Sequence, residues 1–371
     1  MILTEERAYW LAWSKITKVG PILVKRLQER FGSLTEAWIA SEKDLEQVNG
    51  IGPKLLEEIQ VKRSQLNPEQ LLEKYYQQNI NFWTPLDEDY PRLLKEMPNP
   101  PTVLYYRGQV NLQENQGIVP LVGIVGTRRP TEYGRRWTRK ISEVLTRHGF
   151  TIVSGMAAGI DSQAHNGCLA AGGRTLAVLG TGVDVIYPSS NSKLYQRIQE
   201  QGLVLSEYEL GTKPNKQNFP PRNRIIAGLC RAVLVMEAPS RSGALITARY
   251  GNEFGRDVYA LPGSLDNPQS LGCLELIHKG GQVILSETHL LEMLGTIPQL
   301  DQVSSPSPEP PPDLAPELAK VLGAIALEPI PFDLIVQNTS LDSSNVSSAL
   351  LQLELLGLVT QLPGMRYQKI S

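Results

Sequence analysis

Gly126, Thr127 and Arg128 stand in a row and combine a bare backbone, a hydroxyl and a planar cation. Glycine lets a ligand approach the main chain closely, and a guanidinium matches the geometry of phosphate. The apolar run Leu121 to Val125 precedes them, and an amphipathic stretch resumes near Gly134. That spacing predicts a strand, a short turn and a helix, whose turn amides and N-terminus present positive ends to an anion. A second set lies in S-G-M-A-A-G-I-D, where Ser154, Gly155 and Gly159 allow tight wrapping and Asp161 is placed to cap the next helix. A third is K-Q-N-F-P-P-R-N-R: Lys216 could hold a phosphate and Phe219 could stack on a base. Arg222, Asn223 and Arg224 crowd the expected start of a helix at 223–229, where two cations oppose the helix dipole unless an anion joins them. The alternative for this segment is a buried ring and internal arginine pairs. Ser242 and Gly243 open one more helix.

These sets must sit on something that gathers them. From Leu121 to about Leu294, apolar runs at 121–125, 150–153, 175–179, 203–206, 232–236, 257–260 and 282–285 alternate with helical patterns. Such alternation predicts an α/β fold, a mostly parallel sheet with helices on both faces. Ligands of such sheets bind beyond the C-terminal strand ends, where every set above falls. L-G-T-G-V-D after the third run looks like part of a dinucleotide fingerprint, but Val185 stands where the third glycine belongs, so no NAD site is expected.

Five segments result. Residues 1–65 read as a small helical domain in which V-G-P-I-L-V-K-R-L and I-G-P-K-L-L-E-E-I each start a helix at Gly-Pro, a pattern that resembles helix-hairpin-helix (SAM-like) modules. Residues 66–120 read as a connector leading into the sheet, and 121–297 as the sheet domain. The Pro-, Ser- and acid-rich stretch 298–315 reads as an extended linker. Residues 316–371 read as three helices and two strands, the order of a winged helix.

Hydrophobic residues at 41% and charged residues at 20% are those of a globular protein. No apolar run is long enough for a membrane span, and the N-terminus lacks a signal pattern, so a cytoplasmic location is expected. Three scattered cysteines and four scattered histidines offer no metal-ligand spacing, and neither metal nor cofactor is expected. From Ser286 onward ten acids face three bases, net −7, which leaves +5 on residues 1–285. Seven bases against two acids lie between Arg128 and Arg147, a field suited to a polyanion.

Taken together, G-x-x-G-T-R, S-G-x-A-x-G-I-D, L-G-x-G-x-D-x-x-Y-P, F-P-x-R-N-R-I-I-A-G-L and S-G-A-L-I-T-A resemble the DNA processing protein A (DprA/Smf) family over about 121–285. Leu274 departs from the asparagine usual in that family, and Gly280-Gly281 from its Gly-Ala. The resemblance implies an extended Rossmann-like domain that binds single-stranded DNA without catalysis. It also implies a homodimer that protects incoming DNA and loads the RecA recombinase during natural transformation. On this resemblance Gly126, Thr127 and Arg128, with Lys216 and Phe219, take the family's DNA-binding positions. A nucleotide or nucleoside-phosphate hydrolase on a related fold is the competing reading, but Pro262-Gly263-Ser264 stops short of the loop such enzymes use. A scaffold protein whose loops only pack is the other.

Overall fold

The computed structural model describes residues 2–295, 315–325, 330–339, 341–356, 358–362 and 365–369. The chain divides into a unit of residues 1–300 and a unit of residues 301–371. The stretch 298–315, read as a linker, lies outside the described residues except for its last position.

The larger unit is built on one nine-stranded sheet. Its strands are β1 (Phe82–Trp83), β2 (Leu104–Gly108), β3 (Leu121–Val125), β4 (Thr151–Ser154), β5 (Thr175–Val178), β6 (Leu203–Ser206), β7 (Ala232–Val235), β8 (Asp257–Ala260) and β9 (Gln282–Val283). They lie in the order β1-β2-β6-β5-β4-β3-β7-β8-β9. From β6 to β9 all neighbours are parallel, and β2 pairs antiparallel with both β1 and β6. The central strands are buried along their whole length because helices cover both faces. Alternation sorts their side chains. Val122 and Ile124 face Ile141, Leu145 and Ile160, whereas Leu121 and Val125 join the core that holds Ile225 and Ile226. A mostly parallel α/β sheet was the expected class, and it is the observed one.

The segment 66–120, read as a connector, contributes two strands of this sheet. They fall where the runs Asn79–Trp83 and Val103–Arg107 read as short strands in the sequence. β2 is fixed in register by Tyr105 opposite Ser206 and Gly108 opposite Leu203. Gly108 has φ +113°, and a Cβ there would lie 2.5 Å from the Gly202 carbonyl oxygen. In the same segment Glu114 is buried with Arg174: its Oε1 accepts from Arg174 Nε at 2.8 Å and from Thr151 Oγ1 at 2.7 Å.

Helices Pro21–Phe31 and Pro53–Gln65 each begin with a glycine N-cap and proline in the first turn. The N-terminal helices are tied to the sheet at Lys15, whose Nζ donates to Tyr105 Oη at 3.0 Å and pairs with Glu209 at 2.7 Å. In the smaller unit, helices Pro316–Gly323, Phe332–Thr339 and Ser343–Leu355 accompany β11 (Val359–Leu362) and β12 (Arg366–Lys369), together with a two-residue β10 (Ile330–Pro331) too short to read from sequence. This is the winged-helix arrangement that was expected. Among the described residues no helix is long and apolar enough to cross a membrane.

Removing one member of a buried ion pair strands its partner and costs about 3–5 kcal/mol. We therefore expect Glu114→Ala to lower the denaturant midpoint of the larger unit clearly, as followed by tryptophan fluorescence. An unchanged midpoint would mean that Arg174 finds water or another partner.

Candidate nucleic-acid interface

The chain winds outward from β3 to β6 and then returns to β7 on the other side of β3. The loops that follow these strands gather at their C-terminal ends, where ligands of such sheets bind. Gly126 is a glycine for reasons of space rather than torsion. A Cβ on Gly126 would lie 2.5 Å from Ile160 Cγ1 and 2.8 Å from the Glu237 carbonyl oxygen. Gly159, at φ +89°, has the Thr127 carbonyl oxygen where its Cβ would be, at 2.4 Å. The turn after β3 and the loop after β4 are thus locked backbone to backbone, with Ile160 N donating to Thr127 O at 3.1 Å. Thr127 N in turn donates to Glu237 O at 2.6 Å.

This locking holds Arg128 and Arg129 out in solvent. Among the described residues neither has a carboxylate within ion-pair distance. The guanidinium of Arg128 instead lies 5.5 Å from the centroid of the Phe219 ring. Phe219 is half-buried, with Tyr187 on its flank at 5.6 Å between centroids. Gly180 makes room for the ring, since a Cβ there would come within 2.7 Å of Phe219 Cδ1. The partial dinucleotide fingerprint therefore serves as a seat for Phe219. Lys216 is exposed just before this platform, and Gly243 is exposed at the start of helix Gly243–Glu253. Ser242 caps that helix by accepting from Ala244 N.

Other expected contact residues lie inside the protein. Ser154 is fully buried and its hydroxyl donates to Ile124 O at 2.6 Å. Arg222 and Arg224, expected to meet an outside anion, meet protein oxygen. The physical reason is where the helix begins. It runs Phe219–Leu229, with Pro220 and Pro221 inside its first turn, and every residue from Arg222 onward is buried. The arginines are therefore a turn inside the helix and point inward. Arg222 Nη1 donates to the Gly155 carbonyl at 2.7 Å and to that of Val178. A Cβ on Gly155 would strike the Arg222 guanidinium at 2.4 Å. Arg224 pairs with Glu207 and donates to Asn99 O at 2.7 Å, and Asn223 Nδ2 donates to Gly243 O at 3.0 Å. Asp161 does not cap its helix; its carboxylate accepts from Gly155 N and Ala157 N, tying down the loop that precedes it.

Burial dominates the electrostatics beneath the platform. It raises the Asp161 carboxyl above the usual range, against the pull of Arg222, and lowers Arg222 to about 10. Burial, then the Arg222 charge, push His165 down to about 3. His165 Nδ1 is hydrogen-bonded to Thr175 Oγ1 at 2.7 Å.

Sequence reasoning missed Glu237 and Tyr187. Glu237 is 1% exposed, and its carboxylate accepts from Thr131 N at 2.8 Å and Thr131 Oγ1 at 2.5 Å. It thereby fixes the start of the basic helix Glu132–Arg147. An acid ending an apolar strand was the available signal. Among the described residues no group of three metal-ligating side chains gathers anywhere.

Residues 81–295 match the family model described as DNA recombination-mediator protein A. The chain belongs to the DprA/Smf family. Residues 305–365 match a second model, the DprA winged helix domain. Protein Smf of Synechocystis is 54% identical over 98% of this chain and 99% of its own length. Among solved structures, DprA of Streptococcus pneumoniae is similar with a TM-score of 0.68 and 36% identity, covering 77% of this chain and 97% of that one. DprA of Helicobacter pylori, whose structure addresses its single-stranded DNA binding mode, has a TM-score of 0.51 and 32% identity over 58% of this chain and 95% of its own.

His165 gives a pH signature. Between its ordinary value near 6.5 and about 3, the unfolded chain holds a proton that the folded chain refuses. The unfolded state is then favoured by about 1.4 kcal/mol per pH unit as pH falls through that window. Asp161, raised by burial, acts with the opposite sign above its ordinary value. We expect the wild type to lose more stability between pH 6 and pH 4 than His165→Gln does, in urea melts at each pH. Parallel losses would show that the imidazole is protonated in the folded state.

Proposed function

We propose that this protein binds single-stranded DNA without catalysing a reaction on it, protects incoming strands, and hands them to the RecA recombinase during natural transformation. The observation that carries the reading is the exposed Arg128 guanidinium beside the half-buried Phe219 ring, at the C-terminal ends of the strands. A single strand offers both partners at once. Its phosphates suit the Arg128 turn, Arg129 and Lys216, and its unpaired bases have faces free to stack. A duplex hides those faces. The single-strand binding mode described for the Helicobacter pylori relative supports the same assignment here. Gly126, Thr127, Arg128, Lys216, Phe219, Ser242 and Gly243 form the contact surface in this reading, and Ser154, Gly155, Gly159, Arg222, Asn223 and Arg224 hold it in shape.

Against a hydrolase stands the chemistry of the buried groups. Asp161 and Arg222 are engaged by the protein itself, and His165 is enclosed and neutral. We assign the winged-helix unit to partner recruitment rather than to DNA, because helix Ser343–Leu355 carries neither lysine nor arginine. A cytoplasmic homodimer completes the proposal; Leu265 and Leu271, which follow β8, and Leu285, which follows β9, are exposed apolar side chains.

Arg128→Ala should weaken single-strand binding by about 1–3 kcal/mol, the scale of a charge-assisted hydrogen bond. Phe219→Ala should cost about as much through lost stacking, and Phe219→Trp should largely restore it. Fluorescence anisotropy with labelled oligonucleotides measures all three, and a folded Arg128→Ala protein of wild-type affinity would remove the site from consideration. Deleting residues 301–371, which carry eight acids and three bases, should leave affinity the same or slightly higher at low salt. A tenfold loss would assign DNA contact to that unit.

A further inference from the structure

The turn after β3 has a neighbour on the side away from Phe219. Beside the loop after β8 lies an open pocket of about 520 Å³ lined by Tyr133, Pro262, Gly263, Ser264, Asn267 and Ser270. We propose that this cavity takes one unstacked nucleobase of the strand held at Arg128. The proposal rests on the single-strand reading above and extends it.

Three observations carry it. The cavity is joined to the Arg128 turn through one buried carboxylate. Glu237 Oε1 accepts from Thr131 Oγ1 at 2.5 Å and from Asn267 Nδ2 at 3.2 Å, so the turn and the cavity wall are held by the same oxygen. The lining is also neutral and carries one aromatic ring. Tyr133 is fixed as a wall by its hydroxyl, which donates to the Pro262 carbonyl at 2.9 Å. Gly263 packs directly on Ser270, since a Cβ there would lie 2.1 Å from Ser270 Oγ, which holds the loop and the start of the following helix together as a second wall. A phosphate would find no cation among these residues, and a basic side chain would find no free acid, since Glu237 is already engaged. A neutral flat ring fits, and the volume falls within the roughly 300–1,000 Å³ of small-ligand sites. Finally, the order of the sheet places the two aromatic stations on opposite sides of the phosphate turn. Phe219 sits against the loop after β5, Tyr133 bonds to the loop after β8, and β3 lies between those strands.

A strand crossing the strand ends from β5 toward β8 would then lay one base on Phe219, pass its phosphates over Arg128 and Arg129, and drop a second base beside Tyr133. Asn267 Nδ2 donates both to Glu237 and to Ser270 Oγ, which leaves few groups to read a base edge. The station is therefore tolerant of sequence.

The test uses the full-length chain and short oligothymidylates just long enough to saturate it, each with a single abasic position. Two separated positions should be sensitive, each losing about tenfold in affinity, as expected for stacking worth ~1.4 kcal/mol. Tyr133→Ala should cost a similar factor and erase the sensitivity at one of the two positions, leaving the other to Phe219. Because Tyr133 also packs against Trp137, Ser264→Leu provides a second variant: it narrows the cavity from an exposed position and should give the same selective erasure. If both variants keep wild-type affinity and the full abasic profile while Arg128→Ala binds weakly, the cavity holds no base and the single-strand reading survives alone. If the wild type binds no single strand, both readings fall together.

Discussion

A guanidinium lies wholly inside this protein, and the exposed surface depends on it. Arg222 reaches from the helix that begins at Phe219 to the carbonyls of Gly155, after β4, and Val178, at the end of β5. Three elements are thereby pinned by one side chain whose charge is balanced mainly by the field of Asp161. An unpaired charge in such a place would be very costly, so helix and loops have little freedom to move apart. That rigidity fixes Phe219, whose ring centroid lies 6.0 Å from the Arg222 guanidinium and 5.5 Å from that of Arg128. The buried arginine builds the platform, and the exposed one is free for a ligand.

Glycines do the complementary work. Gly126, Gly155, Gly159 and Gly180 each stand where a Cβ would collide with backbone, a guanidinium or the Phe219 ring. Their positions in the sequence pointed to close approach by a ligand. In the structure the close approach is made by the protein's own groups, which also take up the amides of Thr127, Arg129 and Thr131 and leave the exposed side chains of Arg128 and Arg129 held on a fixed turn.

The sheet was largely legible because its strands are buried on both faces and read as short apolar runs, as at Leu121–Val125 and Ala232–Val235. That the chosen loops gather at the C-terminal strand ends followed from strand alternation alone. What could not be read was direction. Arg222 and Arg224 look like anion ligands while the helix is taken to start at 223, and become internal struts once Pro220 and Pro221 belong to its first turn. A shift of about one turn decides whether a cation faces water or protein. β1 and β2 were legible as short apolar runs at 79–83 and 103–107; what two and five residues could not show is that they extend this sheet, because pairing partners carry no local pattern. Glu237 was passed over because an acid after a strand is a signal that many surface loops share; its importance arises only when Thr131 and Asn267 arrive from distant parts of the chain.

The most direct measurement is affinity for single strands and for duplex of equal length over a series of salt concentrations, with the wild type and Arg128→Ala side by side. Single strands should bind more tightly than duplex at every salt concentration. The logarithm of the binding constant should fall linearly with the logarithm of salt concentration. For Arg128→Ala the slope should be shallower by about 0.7, the release from one single-strand phosphate. Equal affinity for the two forms, or an Arg128→Ala slope identical to the wild type's, would contradict a phosphate held at this turn beside a stacking ring.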